Sequence, residues 1–295
     1  MTGINTKPEN SGDIVKTLKS ELSVAGFVQP HLGWEPFSGG RTNRIWHIGT
    51  GADALVCKLF DANGGTVLFP NDITAESASL RALSSTGLAP KFVAEFKSSF
   101  GPCLIYRFAA GQPWHGDVSS VAKTLEFLHQ YPAPENLRRI SGGPDEIIRL
   151  GKMILAGCCS DHVARLYAKR PATPQITMAD DVFLHGDLVP GNIICGPDGN
   201  VLIDWQCPAT GDPCEDISTF LSPAMQTLYG HRPLSAAERS DFLTAYADPL
   251  TNDRFCELKP LFHWRMAAHC LWKFEKGHAD YLRAMELELT ALDQC

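Results

Sequence analysis

Three polar residues with a distinctive spacing lie close to residue 190, and a fourth follows them. His185, Asp187 and Asn192 form the pattern H-x-D-x-x-x-x-N, and Asp204 follows within Ile-Asp-Trp. The segment that carries them, VFLHGDLVPGNIICGPDGNVLIDW, has short apolar runs joined by Gly-Pro-Asp-Gly, which predicts a β-hairpin. A hairpin would bring the polar side chains at its two ends close together.

Transfer of a phosphoryl group needs residues that orient the attacking hydroxyl and residues that bind a metal ion. The spacing predicts that Asp187, with His185 beside it in the catalytic motif, accepts or orients the hydroxyl proton. Asn192 and Asp204 would then bind Mg²⁺. The alternative is a polar surface hairpin, because Asp, Asn and Gly are ordinary turn residues. A chance match to the motif alone is expected in roughly one per cent of such chains, so upstream residues must decide.

Lys58 lies in the apolar run ALVCKLF, where a lysine on a buried strand needs an anionic partner. Glu76, on the next predicted helix, is the natural candidate. Together they would position the α- and β-phosphates of ATP. The alternative is that Lys58 points to solvent from an edge strand.

A glycine-containing turn precedes Lys58 between two predicted strands. Its glycines would allow backbone N–H groups to approach phosphate oxygens. A Gly-Gly turn is common in hairpins, so its position before Lys58 is what supports the interpretation. The residues expected to contact the nucleotide in this turn are Ser38, Gly39, Gly40 and Asn43.

The surrounding elements predict an α+β chain with a small antiparallel sheet followed by a mainly helical part. An amphipathic helix is expected over residues 11–25, with Ser11 as its N-cap. Strand-like runs GWEPFS, NRIWHIG and ALVCKLF read as an antiparallel meander, and KFVAEFK and CLIYRFA add two strands after a helix. Further helices are expected at SVAKTLEFLHQY, at residues 145–170 and at residues 235–247, the last opening with a Ser235-x-x-Glu238 capping box.

Composition limits the classes of partner. The chain has 295 residues and a formal net charge of -7, and no cluster of Lys and Arg indicates binding to nucleic acid or to an anionic membrane. No apolar stretch has the length of a membrane span, and the first residues lack a signal-peptide pattern. Ten cysteines without a Cys-x-x-Cys pair suggest reduced thiols. A cytoplasmic protein with one active site between two closely packed lobes is expected.

The motifs GGRTN, VCKLF, AESASLRAL, GLAPKF, LHGDLVPGN, LIDW and GDPCEDIS occur in this order and resemble the aminoglycoside phosphotransferase and choline kinase superfamily. The resemblance covers about residues 33–220. It implies a two-lobed kinase-like fold, with an N-terminal extension over 1–32, a nucleotide-binding lobe over 33–111 and a helical lobe over 112–295. It also implies ATP and Mg²⁺ as cofactors and Asp187 as the catalytic aspartate. Residues 105–108 would contact adenine, through Tyr106 and Phe108.

Two departures from related kinases bear on the acceptor. The turn lacks a G-x-G-x-x-G pattern and no Ala-Pro-Glu segment follows Ile-Asp-Trp, which favours a small-molecule hydroxyl over a protein acceptor. Gln206 stands where choline-type and thiamine-type kinases often have glutamate, which weakens assignment to those subfamilies.

The run LFHWRMAAHCLWKFEKGHADYL, residues 261–282, resembles the aromatic segment of choline and ethanolamine kinases. Trp264, Trp272 and Glu275 would line an acceptor pocket that holds the ammonium of an amino alcohol. The alternative is that the aromatic residues form the core face of a helix. An aminoglycoside, a sugar or thiamine remain alternative acceptors, and a nucleotide-binding pseudokinase is the alternative from another class.

Overall fold

The computed structural model describes residues 11–37 and 42–295. Helix α1 (Ser11–Val24) buries Ile14, Leu18 and Leu22 against the outer face of the first sheet. These residues recur every fourth position, so they share one side of the helix. The predicted amphipathic helix is therefore confirmed, whereas the side chain of Ser11 lies outside the described part.

The first lobe contains a five-stranded antiparallel sheet in the order β1-β2-β3-β5-β4. Its strands are β1 (Trp34–Pro36), β2 (Arg44–Ile48), β3 (Leu55–Leu59), β4 (Phe92–Ser98) and β5 (Gly101–Arg107). The first three strands form the expected meander, and β5 pairs with β3 so that β4 lies at the edge. All five residues of the central strand β3 are buried.

Helix α2 (Ile73–Ala82) packs on the inner side of this sheet. Its N-terminus is capped by Asp72, whose carboxylate accepts hydrogen bonds from the N–H groups of Thr74 at 2.9 Å and Ala75 at 3.1 Å. The cap fixes the first turn of α2, which carries Glu76.

The second lobe is mainly helical. Its helices are α3 (Val118–Gln130), α4 (Pro144–Leu155), α5 (His162–Ala168), α6 (Cys214–Leu221), α7 (Pro223–Leu228), α8 (Ala236–Tyr246), α9 (Pro249–Glu275) and α10 (Asp280–Leu292). The expected capping box of α8 is present, with the Ser235 hydroxyl 3.2 Å from the Glu238 nitrogen. The stretch 145–170, expected to be helical throughout, is divided because the N–H groups of Cys159 and Ser160 donate to Glu275 on α9.

The second lobe also contains two three-stranded sheets, in the orders β10-β9-β6 and β7-β11-β8, and four of their strands lie between α5 and α6. Their strands are β6 (Gln112–Pro113), β7 (Arg138–Ile140), β8 (Val182–Leu184), β9 (Ile193–Gly196), β10 (Gly199–Leu202) and β11 (Ala209–Gly211). The predicted hairpin is β9 and β10, and β8 leads directly into residues 185–192. The chain passes from the first lobe to the second at residues 107–118, but the boundaries at residues 32 and 111 stay predictions. None of the described helices is long and apolar enough to cross a membrane.

Candidate active site

A cleft of about 560 Å³ separates the two lobes. The first lobe contributes apolar side chains such as Ile45, Val56 and Tyr106, and the second contributes Asp187 and Asn192. Asp204, just after β10, also lines the cleft. The structure therefore brings three of the expected polar site residues to one surface, although Asp187 and Asp204 are separated by a complete hairpin.

Asp187 lies on residues 185–192, the segment that the sequence predicts to be the catalytic loop, at the point where it turns towards the cleft. The side-chain amide of Asn192 donates to the backbone carbonyl of Asp187 at 2.9 Å, and the Asp187 carbonyl also accepts from the N–H of Val189 at 2.9 Å. These bonds close the loop on itself. The side chains of Asp187 and Asn192 are consequently held side by side, with 8% and 5% of their surfaces exposed.

The carboxyl group of Asp187 has a perturbed proton affinity. Burial, and next the negative charge of Asp204, raise the pKa of Asp187 to about 8, while Lys58 acts in the opposite direction. A carboxyl group with a pKa near neutrality is suited to accept a proton from a hydroxyl group.

His185 lies behind the catalytic loop and does not line the cleft. Its Nε2 bonds to the carbonyl oxygen of Ile203 at 3.0 Å, its ring packs 4.4 Å from that of Trp205, and burial lowers its pKa. His185 was expected to be catalytic, but its position is that of a residue that holds the loop in place.

Asp216 supports the loop from below. Its carboxylate accepts the N–H groups of His185 at 2.7 Å and Gly186 at 2.8 Å, and it also contacts His129. Burial alone would raise the pKa of Asp216, but these partners hold it below its ordinary value. Gly186 is required here because its φ is +79° and a Cβ would lie 2.0 Å from the carbonyl oxygen of Cys207.

Lys58 is fully buried on β3 and has two carboxylate partners. Its Nζ lies 2.6 Å from Oε2 of Glu76 and also contacts Oδ1 of Asp204. Burial disfavours the charged lysine, but Asp204 and Glu76 outweigh this effect and raise the pKa of Lys58. Burial also raises the pKa of Glu76 to about 7, against the attraction of Lys58. The edge-strand alternative is excluded, since β3 lies between β2 and β5.

Asp204 has a left-handed backbone conformation, with φ of +62°. Such a conformation is uncommon for a residue with a side chain, and it recurs at functional sites. Together with the amide of Asn192, its carboxylate supplies the oxygen ligands that Mg²⁺ prefers, with room for phosphate oxygens. Among the described residues no cluster of three or more His, Cys, Asp or Glu side chains forms a separate metal site.

Asn43 connects the two lobes next to the glycine-containing turn. Its amide donates to Oδ1 of Asn71 at 2.9 Å and to Oε1 of Gln206 at 3.1 Å. Gln206 thus links the segment after Asp204 to the first lobe. The other residues expected in this turn, Ser38, Gly39 and Gly40, lie outside the described residues.

Tyr106 and Phe108 lie at the connection between the lobes, and both line the cleft. Phe108 also stacks on Phe37 at a centroid distance of 6.0 Å, and its N–H donates to the carbonyl of Ala54 at 2.9 Å. The rings and Val56 form an apolar wall of the size and character that an adenine base requires.

The structure does not bring Trp264, Trp272 and Glu275 to the cleft. Trp264 is fully buried in the core of the second lobe, and its Nε1 donates to the carbonyl of Leu166 at 2.8 Å. Trp272 packs near Gly157, and Glu275 accepts the two backbone N–H groups of the loop before α5. Helical spacing alone could not show which side of α9 faces the core.

Other residues of α9, together with residues of three further segments, line the cleft. At this end of the cleft, which is the expected acceptor side, the lining residues are His269 and Lys273 on α9, Tyr281 on α10, Tyr229 after α7 and Phe69 before α2. Tyr229 can approach the catalytic loop because residue 191 is glycine, where a Cβ would lie 2.3 Å from the tyrosine ring. His269 and Lys273 were missed in the sequence, although two polar residues four apart on an apolar helix were a usable signal.

A sheet-containing lobe beside a helical lobe, with a buried lysine–glutamate pair facing the catalytic loop across a cleft, defines a protein with a kinase-like fold. The profile of the family described as "Phosphotransferase enzyme family" (APH) matches residues 33–258. The chain belongs to this family. Among curated proteins, none matches the chain by sequence.

Solved structures with the same fold include kinases for different acceptors. A choline/ethanolamine kinase family protein from Mesorhizobium loti is 14% identical, with a TM-score of 0.66 over 95% of this chain and 94% of that chain. A choline kinase from Cryptosporidium parvum Iowa II is 15% identical, with a TM-score of 0.57 over 97% of both chains. A thermostable mutant of the aminoglycoside phosphotransferase APH(4)-Ia, in complex with AMP-PNP and hygromycin B, is 14% identical, with a TM-score of 0.62 over 93% of this chain and 98% of that chain. At these identities the similarity establishes the fold and not the acceptor.

Proposed function

We infer that this protein is an ATP- and magnesium-dependent kinase that transfers the γ-phosphoryl group of ATP to a hydroxyl group of a small molecule. The observation that carries the proposal is the convergence of Lys58, Glu76 and Asp204 in one ion-paired group next to Asp187. Burying a lysine between two carboxylates costs desolvation free energy, so this arrangement indicates a functional role for the lysine. Binding the phosphates of a nucleotide is such a role.

Each residue then has a defined part in the transfer. Lys58, oriented by Glu76, would bind phosphate oxygens, and Asp187 would orient the acceptor hydroxyl and accept its proton. Asn192 and Asp204 would hold Mg²⁺, which when bound neutralises charge on the phosphates. His185 and Asp216 act only through the backbone of the loop, so their part is to keep Asp187 in place. A cytoplasmic location, with access to ATP, fits this function.

An amino alcohol of the choline or ethanolamine type is the first acceptor to consider. A choline/ethanolamine kinase family protein has the same fold, which makes an amino alcohol a natural member of the acceptor panel, and the rings of Phe69, Tyr229 and Tyr281 could contact an ammonium group. Trp264 and Trp272, on which the expectation of an amino alcohol was based, do not line the cleft.

An uncharged hydroxyl compound such as a sugar is the second candidate, and a specific observation favours it. Among the described residues that line the cleft, Asp187 and Asp204 are the only acidic ones, and Lys273 lines the acceptor side. Both carboxylates are already required for proton transfer and metal binding. A polycationic acceptor such as an aminoglycoside would therefore find little complementary charge.

The test is ATP turnover with and without Mg²⁺ over a panel containing choline, ethanolamine, thiamine, an aminoglycoside and several sugars, with the product identified by its mass gain of one phosphate. Transfer that requires both Mg²⁺ and an acceptor supports the proposal. Tight binding of ATP without transfer to any acceptor would support the pseudokinase alternative.

A further inference from the structure

Asn43 and Gln206 form a buried contact between the two lobes beside the cleft. Their side chains are 8% and 4% exposed, and they lie 163 positions apart in the chain. Nδ2 of Asn43 donates to Oε1 of Gln206 at 3.1 Å. Gln206 also lines the cleft, two residues after Asp204. A buried hydrogen bond between side-chain amides of the two lobes therefore lies next to the expected metal site.

Asn43 and Asn71 form a reciprocal pair of amide hydrogen bonds. Nδ2 of Asn43 donates to Oδ1 of Asn71 at 2.9 Å, and Nδ2 of Asn71 donates to Oδ1 of Asn43 at 2.8 Å. Oδ1 of Asn43 also accepts from the N–H of Asp61 at 3.0 Å. An amide side chain has two N–H donors and two acceptor lone pairs. The neighbours of Asn43 occupy all of them, so its side chain is committed to this network and not to a nucleotide.

Backbone groups determine the orientation of these amides. The N–H of Asp61 can only donate, so the atom of Asn43 that faces it is the oxygen. The carbonyl of Asp61 can only accept, so the atom of Asn71 that lies 2.8 Å from it is the nitrogen. Asn43 therefore presents an N–H group to Gln206, which must supply an acceptor oxygen. Leucine at position 206 would leave this N–H group unpaired, whereas glutamate could still accept from it.

The backbone of Gln206 makes a second connection to the first lobe. Its carbonyl oxygen accepts from the N–H of Asp72 at 2.9 Å. Asp72 caps α2, whose first turn carries Glu76. Gln206 is thus close in the chain to Asp204 and is bonded to the cap of the helix that carries Glu76. These two carboxylates are the partners of Lys58, and the bonds of Gln206 limit how far apart they can lie.

We propose that Gln206 is a positioning residue for nucleotide binding, and that its hydrogen bond to Asn43 holds the two lobes at the separation that the Mg·ATP site requires. Without this bond the joined arrangement of the lobes is less populated, and the apparent affinity for Mg·ATP falls by the same factor. At saturating Mg·ATP the joined arrangement is restored, so kcat should change little. The inference rests on the proposed kinase activity and adds a residue that acts through Asn43 and Asp204.

The experiment measures the binding of AMP-PNP by calorimetry at a series of Mg²⁺ concentrations, and stability by urea unfolding. Gln206→Leu, which leaves the N–H group of Asn43 unpaired, should weaken the binding of Mg·AMP-PNP about tenfold. Gln206→Glu keeps an acceptor oxygen and should bind within about threefold of the wild type. With the best acceptor of the panel and saturating Mg·ATP, kcat of both variants should stay within about threefold of the wild-type value.

Gln226→Leu is the matched control. Gln226 is also a buried glutamine, but its amide donates to the Phe220 carbonyl, at 2.7 Å within the second lobe, and it does not line the cleft. The substitution should lower stability without changing the affinity for Mg·AMP-PNP. If Gln206→Leu fails to fold, Asn43→Ala removes the same bond from the side of the first lobe and takes its place.

Binding of Mg·AMP-PNP at the wild-type affinity by Gln206→Leu, or by Asn43→Ala in its place, overturns the inference. Loss of folding in both variants also overturns it, because the bond would then serve stability alone. The same is true if Gln206→Glu binds as weakly as Gln206→Leu, since the acceptor oxygen would not be the group that matters. Failure of the proposed activity is seen separately, as the absence of AMP-PNP binding by the wild type.

Discussion

The raised pKa of Asp187 makes the proposed proton acceptor testable by pH. With a pKa of about 8, roughly one tenth of the free enzyme carries the ionised carboxylate at pH 7. The value of kcat/KM for ATP, which reports ionisations of the free enzyme, should therefore rise about tenfold per pH unit below pH 8 and level off above it. The profile of kcat should level off at a lower pH, since a cation held by Asp204 would remove part of the repulsion that raises the pKa of Asp187.

Asp187→Asn is the corresponding variant. It should lower kcat by at least about a hundredfold, the lower range for acid–base and positioning groups, and it should leave nucleotide affinity nearly unchanged. The matched control is Asp198→Asn at the exposed tip of the β9–β10 hairpin, which should retain the activity and the pH profile of the wild type.

The same substitution should affect stability with a predictable sign. Because the pKa of Asp187 is raised from 3.8 to about 8 by folding, the native state binds more protons than the unfolded state, so stability falls as the pH rises between these values. Asp187→Asn removes this term. At pH 7 it should raise the free energy of unfolding by about 4 kcal/mol, and at pH 4 by little.

Urea unfolding at both pH values and steady-state kinetics between about pH 6 and 9 measure these effects. A variant that retains activity within about threefold of the wild type would remove Asp187 from the catalytic role. A pH-independent kcat/KM together with an unchanged stability would show that its carboxyl group is not perturbed.

Three further predictions concern the ion-paired group and the helical core. Lys58→Met and Glu76→Gln should impair nucleotide binding at the same step, so the double variant should lose less than the sum of the two single effects; strict additivity in calorimetry with AMP-PNP would separate the two residues. Asp204→Asn should abolish the magnesium-dependent part of ATP affinity, and equal affinities with and without Mg²⁺ in both parent and variant would contradict the metal assignment. Trp264→Ala should cost about 3 to 5 kcal/mol of stability, measured by urea unfolding, without a selective change in the acceptor KM; a raised KM at unchanged stability would return Trp264 to the acceptor site.

The catalytic loop could be predicted from the sequence because its chemistry is local. His185, Asp187 and Asn192 lie within eight positions in the chain, and the turn between β9 and β10 has a recognisable composition. Lys58 and Glu76 could be paired because a lysine within a buried strand requires an anion. The contact between Lys58 and Asp204, 146 positions apart, follows only from the way the two lobes pack.

The side of α9 that faces the cleft could not be predicted, for a geometrical reason. The apolar residues of α9 repeat with a helical period, which shows that one side of the helix is buried but not what lies opposite each residue. Trp264 faces the core under α4, whereas His269 and Lys273 face the cleft. The assignment of each side depends on the position of α10 and of the segment containing Phe69, and neither is encoded in the pattern of α9 itself.

The most direct test of the proposed function follows the phosphoryl group itself. ATP labelled on its γ-phosphate is incubated with the enzyme, Mg²⁺ and the best acceptor of the panel, and the label is traced to acceptor, water and protein. We expect the label to appear on a hydroxyl group of the acceptor, with little released as inorganic phosphate, and Asp187→Asn to lower this transfer at least about a hundredfold. Label that appears only in inorganic phosphate, or transfer at the wild-type rate by Asp187→Asn, would contradict the proposal.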